Sequence, residues 1–138
     1  MRTAAKKDAN QDAIRLVLEG ERPCSWNKFY SGMHWRKRAT EADRVHVIVR
    51  AAIDPDTVQL FDAPAHITVT AYFKNRPLDP DNICAKLYVD GLTRWLIVDD
   101  SPQYVASVTT ISRVDKARPR VEIVCEQAVI VDYLELEA

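Results

Sequence analysis

The sequence has few cysteines, few glycines and no long apolar run, and each shortage excludes a class of protein. The three cysteines, Cys24, Cys84 and Cys125, are odd in number, widely separated and without histidines at ligand spacing, so we expect neither a disulfide framework nor a zinc site. No stretch approaches the roughly 20 apolar residues of a membrane span, and the first residues lack the apolar core of a signal peptide. The three glycines form no nucleotide-binding loop. These absences predict a cytoplasmic protein with no membrane contact and no nucleotide cofactor.

A large net charge is also missing. The chain has 138 residues, of which 47% are hydrophobic and 28% charged, and this is typical of one globular domain. The net charge of -1 weakens a role with nucleic acids, whose protein partners tend to be basic. Residues 13 to 125 nevertheless hold 16 Lys and Arg against 14 Asp and Glu, a balance of +2. We predict a flexible N-terminal arm over residues 1–12, a folded domain over 13–128 and an acidic tail over 129–138.

The apolar pattern predicts the order of the secondary structure. Strands are expected at residues 14–19, 66–73, 104–113 and 120–126, and helices at 34–53 and 82–95. The second half of the first helix is a β-branched run that would also suit a strand. The order strand, helix, strand, helix, strand, strand predicts an α+β fold, a two-layer α/β sandwich in which two helices pack on one face of a single mixed sheet.

Five aspartates and a lysine are concentrated in residues 76–105, on a predicted loop, helix and loop. They are Asp79, Asp81, Lys86, Asp90, Asp99 and Asp100. Three or more carboxylates brought close together destabilise a fold unless a cation neutralises them, and carboxylate oxygens suit Mg²⁺. Taken singly, the same residues have ordinary explanations as a helix cap and a turn. Taken together, they predict a metal site, provided that the helix between them returns the chain to its starting point.

Two other acidic motifs fit less well. The calcium loop of an EF-hand needs glycine at its sixth position and glutamate at its twelfth, and counting from Asp79 those positions hold Cys84 and Asp90. The Asp-x-Asp motif of sugar-nucleotide transferases remains open, although the chain is short for such an enzyme.

The predicted second helix has two stripes. Its apolar stripe, which we expect in the core, consists of Ile83, Leu87, Gly91, Leu92 and Trp95. A polar stripe of Asn82, Lys86 and Asp90 borders it at the same four-residue spacing. Such a stripe faces either a cleft or solvent, and a Lys86–Asp90 pair would also stabilise an ordinary exposed helix.

The same residues resemble the core of the RusA family of Holliday-junction resolvases, in which an Asp-x-Asp-Asn segment precedes a helix with a lysine and an Asp-Asp pair follows. Here these elements are Asp79-Pro80-Asp81-Asn82, Lys86 and Asp99-Asp100, followed by Ser101 and Gln103. Upstream, residues 23–30 and 34–38 are similar to the family's Pro-x-Ser-x-Asn-x-x-Tyr segment and to the basic start of its first helix. The resemblance covers roughly residues 13 to 125, and the central motif is its most specific part.

The resemblance implies a homodimer that nicks two strands of a four-way DNA junction symmetrically with Mg²⁺, for which Mn²⁺ could substitute. It implies metal ligation by Asp79, Asp81 and one of Asp99 and Asp100, of which we favour Asp100, and catalysis by these carboxylates and Lys86. Asp90 would support the site from beside the lysine. One departure concerns Lys86, which stands five residues after Asp81, whereas the family pattern has four. Either the helix begins one residue later here, with Asn82 as its cap, or Lys86 is not the catalytic lysine and Arg76 supplies the positive charge.

Several basic and polar residues could contact DNA phosphates, which gives affinity without sequence reading. The candidates are Lys28, Arg36, Lys37, Arg38, Lys74, Arg76 and Asn82. Trp26, Phe29 and Tyr30 could stack on exposed bases, although such aromatics more often belong to a core. The sequence alone leaves three functions open: a junction-cutting endonuclease in recombination and repair, a non-cutting junction-binding or replication-accessory protein, and a small structural domain stabilised by metal.

Overall fold

The structure is a computed structural model, and it describes residues 13–56, 58 and 60–128. The predicted N-terminal arm and acidic tail lie outside the described residues. The described part of the chain forms four strands and two α-helices. They are β1 (Ala13–Glu19), α1 (Trp35–Ala51), β2 (Ala65–Phe73), α2 (Ala85–Leu92), β3 (Val105–Val114) and β4 (Arg120–Gln127). This is the predicted order.

The four strands form one mixed sheet in the order β1-β4-β2-β3. The pairs β1–β4 and β4–β2 are antiparallel, and β2–β3 is parallel. A parallel pair cannot be joined by a tight turn and needs a long crossover. That crossover is the segment with the aspartates, and it passes through α2 before the chain enters β3.

Both helices pack on one face of this sheet, as predicted for the α+β fold. Alternate residues of β2 from Ala65 to Phe73 are buried, and the residues between them are half-buried. The buried side of the sheet and the inner sides of both helices belong to a single hydrophobic cluster, which includes Leu16, Val45, Val49, Ile67, Val69, Leu87, Leu92 and Ile123. No helix in the described part of the chain combines the length and apolar character needed to cross a bilayer.

The segment whose β-branched run also suited a strand is helical. His34 caps α1 because its Nδ1 accepts a hydrogen bond from the backbone N–H of Arg36, at 3.1 Å. Val45 and Val49, four residues apart, are buried, whereas Val47 between them is 67% exposed. Helical periodicity therefore places the apolar residues against the core, and tertiary packing outweighs the strand preference of valine.

The second helix is shorter than predicted at both ends. Pro80–Asn82 forms a separate 3₁₀ turn, Ile83 and Cys84 have non-helical backbone angles, and α2 begins only at Ala85. Its end is set by Thr93, which is extended, and by Arg94, which has a positive φ of 70°. The predicted burial of Ile83 and Leu92 is confirmed, but that of Trp95 is wrong, because this residue lies beyond the helix and is 44% exposed.

A buried polar network attaches α2 to α1. The hydroxyl of Tyr88 donates a hydrogen bond of 2.7 Å to the carboxylate of Glu21, which also accepts two hydrogen bonds from Arg44, at 2.8 and 3.0 Å. Burial raises the pKa of Tyr88 well above its usual value, and the nearby Glu21 carboxylate adds to this effect. The hydroxyl therefore remains protonated and acts as a donor. The carboxylate is satisfied by partners from both helices, so its burial fixes their relative position.

The three cysteines are free, as expected. Cys84 and Cys125 are fully buried, and burial raises the pKa of the Cys84 thiol to about 11 and that of Cys125 to about 12. Both thiols are therefore protonated at neutral pH and pack as small apolar groups.

The two helices pack closely at Gly91. A Cβ atom added there would lie 3.1 Å from Cβ of Val49. We predict that Gly91→Val lowers the free energy of unfolding by about 1–3 kcal/mol, because the extra atoms overpack the contact. Urea denaturation measures this effect. Gly32→Ala is the control, because a Cβ at Gly32 would have no neighbour within 4 Å.

A double variant tests the cause of this destabilisation. Val49→Ala is itself destabilising, because Val49 is fully buried. The double variant should nevertheless be less destabilised than the sum of the two single effects, since both substitutions act on one contact. If the two effects simply add, the contact between Gly91 and Val49 does not limit the approach of the helices.

Candidate active-site cleft

A cleft of about 350 Å³ lies between β3 and the start of α2. Asp81, Lys86, Asp90 and Asp100, which the sequence singled out, line it together with eight other residues. The others are Trp26, Pro80, Ile83, Ala85, Val89, Val105, Val108 and Thr110. The crossover between the parallel strands thus brings four predicted site residues from separate segments into one cleft.

The loop with the first two aspartates is fixed to β3 by two hydroxyl groups. Thr110 donates a hydrogen bond of 2.7 Å to the carbonyl of Pro80, and Ser112 donates one of 2.6 Å to the carbonyl of Leu78. Within the loop, the N–H of Asn82 donates to the carbonyl of Asp79, at 2.9 Å. Neither hydroxyl was among the predicted site residues. Their spacing of two residues on one strand was the available signal, because it places both on the same face.

The other side of this loop is attached to residues 24–27. Ser25 and Ile83 form an antiparallel bridge, and the N–H of Cys84 donates a hydrogen bond of 3.0 Å to the carbonyl of Cys24. The side-chain oxygen of Asn82 accepts a hydrogen bond of 3.1 Å from the N–H of Asn27. The two segments that resemble the RusA family are therefore in direct contact. Asn82 holds them together, and its predicted contact with DNA stays a prediction.

Lys86 is the second residue of α2 and faces the cleft. Its Nζ lies 3.5 Å from the Oδ2 of Asp90, and the two side chains remain 52% and 29% exposed. A pair this exposed stabilises a helix by only a few tenths of a kcal/mol, so the ammonium group can leave it for a phosphate at little cost. The expectation that Asn82 caps this helix is wrong, because α2 begins at Ala85 with Cys84 at the cap position. The non-helical segment at Ile83 and Cys84 accommodates the additional residue between Asp81 and Lys86.

The five aspartates are not gathered around one point. Asp81 and Asp100 line the cleft, whereas the exposed residues Asp79 and Asp99 do not. Among the described residues, no three His, Cys, Asp or Glu side chains form a group that could hold a metal ion. The predicted ligand set of Asp79, Asp81 and Asp100 is thus not preassembled in this structure, and it stays a prediction. Of the neighbouring pair, the position of Asp100 favours it over Asp99.

The donors present in the cleft nevertheless suit Mg²⁺. This ion prefers oxygen ligands, retains several waters and is usually held by one or two carboxylates together with the phosphates of a substrate. Asp81 and Asp100 supply two carboxylates from different loops at one cleft. The cleft lacks the histidine and cysteine ligands that Zn²⁺ prefers.

The predicted DNA-binding residues lie outside the cleft lining. Lys28, Arg36 and Lys37 are exposed near the start of α1, and Lys74 and Arg76 are exposed just after β2. Arg76 has a positive φ of 50°. The segment around it is held by Arg22, which donates a hydrogen bond of 3.1 Å to the carbonyl of Arg76. Lys86 lines the cleft with the acidic residues, whereas Arg76 does not.

No protein-family model matches the chain, and a search of curated proteins finds no match. The resemblance to the RusA family accordingly depends on the motif residues themselves.

Proposed function

We propose that this protein is a metal-dependent endonuclease that cuts branched DNA, and in particular resolves four-way junctions by paired nicks. The observation that carries the proposal is the cleft shared by Asp81, Asp100 and Lys86. The two carboxylates can bind a hard metal ion, and the ammonium group of Lys86 can move to a phosphate. Metal-assisted hydrolysis of a phosphodiester uses these components.

Each residue has a role in this proposal. Asp81 and Asp100 would hold Mg²⁺ or Mn²⁺, with Asp79 as the third predicted ligand. The metal, when bound, polarises the phosphate and lowers the pKa of a water ligand. Lys86 donates hydrogen bonds to the phosphate oxygens, where negative charge increases in the transition state. Until substrate binds, Asp90 orients the ammonium group of Lys86.

The proposed partners are DNA and a second copy of the chain. Lys28, Arg36 and Lys37 would contact phosphates on one side of the cleft, and Lys74 and Arg76 would contact them near the loop after β2. A homodimer would present two clefts, which is what symmetric nicking of a junction requires. The net charge of -1 indicates that DNA affinity comes from these local groups and is sensitive to salt.

A second candidate is a protein of the same fold that binds junctions without cutting them. One observation favours it, because Lys86 is paired with Asp90 in the structure. Such a protein would retain the basic residues but would not need the cleft.

Incubation with an end-labelled four-way junction distinguishes the two candidates. We expect nicks on two opposite strands when Mg²⁺ is present and intact strands when EDTA replaces it, as resolved on a denaturing gel. A linear duplex of the same sequence is the control for structure selectivity. Binding to the junction in a gel shift without cutting in Mg²⁺ or Mn²⁺ would support the second candidate.

A further inference from the structure

Residues 22 to 40 combine positive charge with aromatic side chains. They include five Lys and Arg but no Asp or Glu, although the whole chain contains 20 acidic residues. Four aromatic residues lie in the same stretch: Trp26, Phe29, Tyr30 and Trp35. We call this stretch the aromatic–basic segment. Positive charge and exposed rings together are the features of surfaces that bind single-stranded nucleic acids.

Two of these rings are stacked, and a third packs edge to face against one of them. The rings of Trp26 and Tyr30 are stacked, with centroids 4.9 Å apart and an angle of 17° between their planes. Phe29 is buried and meets Tyr30 edge to face, at 5.0 Å and 80°. Tyr30 remains 49% exposed. Trp26 is stacked on its ring, and the exposed part of the ring is available to a ligand.

The stack is held in a fixed position beside the cleft. Trp26 itself lines the cleft with Asp81, Lys86 and Asp100. Lys28–Gly32 forms a π-helical turn, in which the N–H of Lys28 donates to the hydroxyl of Ser25, at 3.0 Å. The turn is therefore attached to the loop of the aspartates through the bridge between Ser25 and Ile83. This rigidity reduces the entropy that the ring would lose on binding.

The charges near Tyr30 suit a phosphate backbone. Lys28 and Lys37 line a surface depression of about 230 Å³ together with Gly32 and Met33. Arg36 lies one residue before Lys37, and its guanidinium group is 5.2 Å from the ring centroid of Trp35. A strand with its phosphates along these basic groups would present its bases to the neighbouring ring of Tyr30. Charge complementarity therefore identifies a nucleic-acid strand as the occupant.

We infer that the exposed ring of Tyr30 is a stacking site for an unpaired base of a DNA strand bound at the cleft. The identity of the ligand rests on the proposed function. The inference adds to it a preference for unpaired bases, which a duplex buries within its own stack. A branched substrate exposes such bases where its strands exchange, so this site would contribute to structure selectivity.

The test is fluorescence titration of a short duplex with a gap of unpaired bases, one of which is 2-aminopurine, in EDTA so that no strand is cut. For the unchanged protein we expect quenching of 2-aminopurine, which reports stacking. Tyr30→Leu should abolish the quenching and weaken binding of the gapped DNA about tenfold, while Tyr30→Phe, which keeps the ring, should retain both. Trp95→Leu is the matched control, because Trp95 is also about half exposed, at 44%, but lies beyond the far end of α2.

The outcomes separate this inference from the proposed function. If Tyr30→Leu binds and quenches like the unchanged protein, the stacking site is disproved, whether or not the protein cuts junctions. If it loses affinity equally for gapped DNA and for an intact duplex, the residue does not select unpaired bases and the inference fails. Quenching that depends on Tyr30, in a protein that cuts no junction with Mg²⁺, would support the stacking site and refute the nuclease.

Discussion

Replacing Asp81 by Asn should reduce cutting of a four-way junction at least ~1000-fold, which corresponds to about 4 kcal/mol of transition-state stabilisation. Asp81 is exposed and lines the cleft, so the substitution removes a metal ligand without disturbing the core. Asparagine has nearly the same shape as aspartate. Junction binding should be unchanged or tighter, because one negative charge facing the phosphates is lost. Single-turnover cleavage and gel shifts on the same preparation measure both quantities.

Two further variants make this prediction specific to the cleft. Asp100→Asn should behave like Asp81→Asn, because Asp100 lines the same cleft. Asp99→Asn is the control, since it removes an adjacent charge that does not line the cleft. Near-normal cutting by Asp81→Asn would be incompatible with its role as a ligand. Loss of cutting in Asp99→Asn but not in Asp100→Asn would transfer the ligand role to Asp99.

Lys86→Ala should cut at least ~100-fold more slowly, as expected when about 2.7 kcal/mol of transition-state stabilisation is lost. The stability of the fold should barely change, because the exposed pair with Asp90 contributes only a few tenths of a kcal/mol. Affinity for the junction should change far less than the cleavage rate, since most of the attraction to DNA comes from other basic residues. Cleavage rates at saturating protein, together with thermal melting, test these expectations.

Arg76→Ala identifies the source of the positive charge. We expect this variant to cut at close to the normal rate, because Arg76 does not line the cleft. If Lys86→Ala cuts normally and Arg76→Ala does not, the charge comes from the loop after β2 instead. If neither matters although Asp81 does, the metal alone stabilises the transition state, and Lys86 belongs to an ordinary surface pair.

Much of the fold could be predicted because burial imposes a period on the sequence. In β2, alternate residues from Ala65 to Phe73 face the core, so the strand and its bounds were visible in the sequence. The order of the strands in the sheet depends on contacts between distant residues, and no local pattern encodes it. The 3₁₀ turn before α2 also depends on a contact between distant residues. Ile83 is drawn into a bridge with Ser25, fifty-eight residues earlier, and this contact delays the start of the helix.

The composition of the cleft was predicted better than its geometry. Asp81, Lys86, Asp90 and Asp100 are all at the cleft, because the crossover between parallel strands returns the chain to it. The position of Asp79 outside the lining depends on the turn at Pro80 and on the hydroxyls of Thr110 and Ser112. Those contacts join separate segments. The local spacing of the aspartates could not reveal them.

The central position of β4 has a consequence for the synthesis of the chain. β1 pairs with β4, so that Leu16 faces Ile123, and β4 also separates β1 from β2. At a synthesis rate of about 5–20 residues per second, β4 is made roughly 5–20 s after β1. During that time the apolar side of β1 has no sheet to join. The sheet is therefore completed only after β4 has been made, and until then the unpaired β1 is open to aggregation and to binding by chaperones.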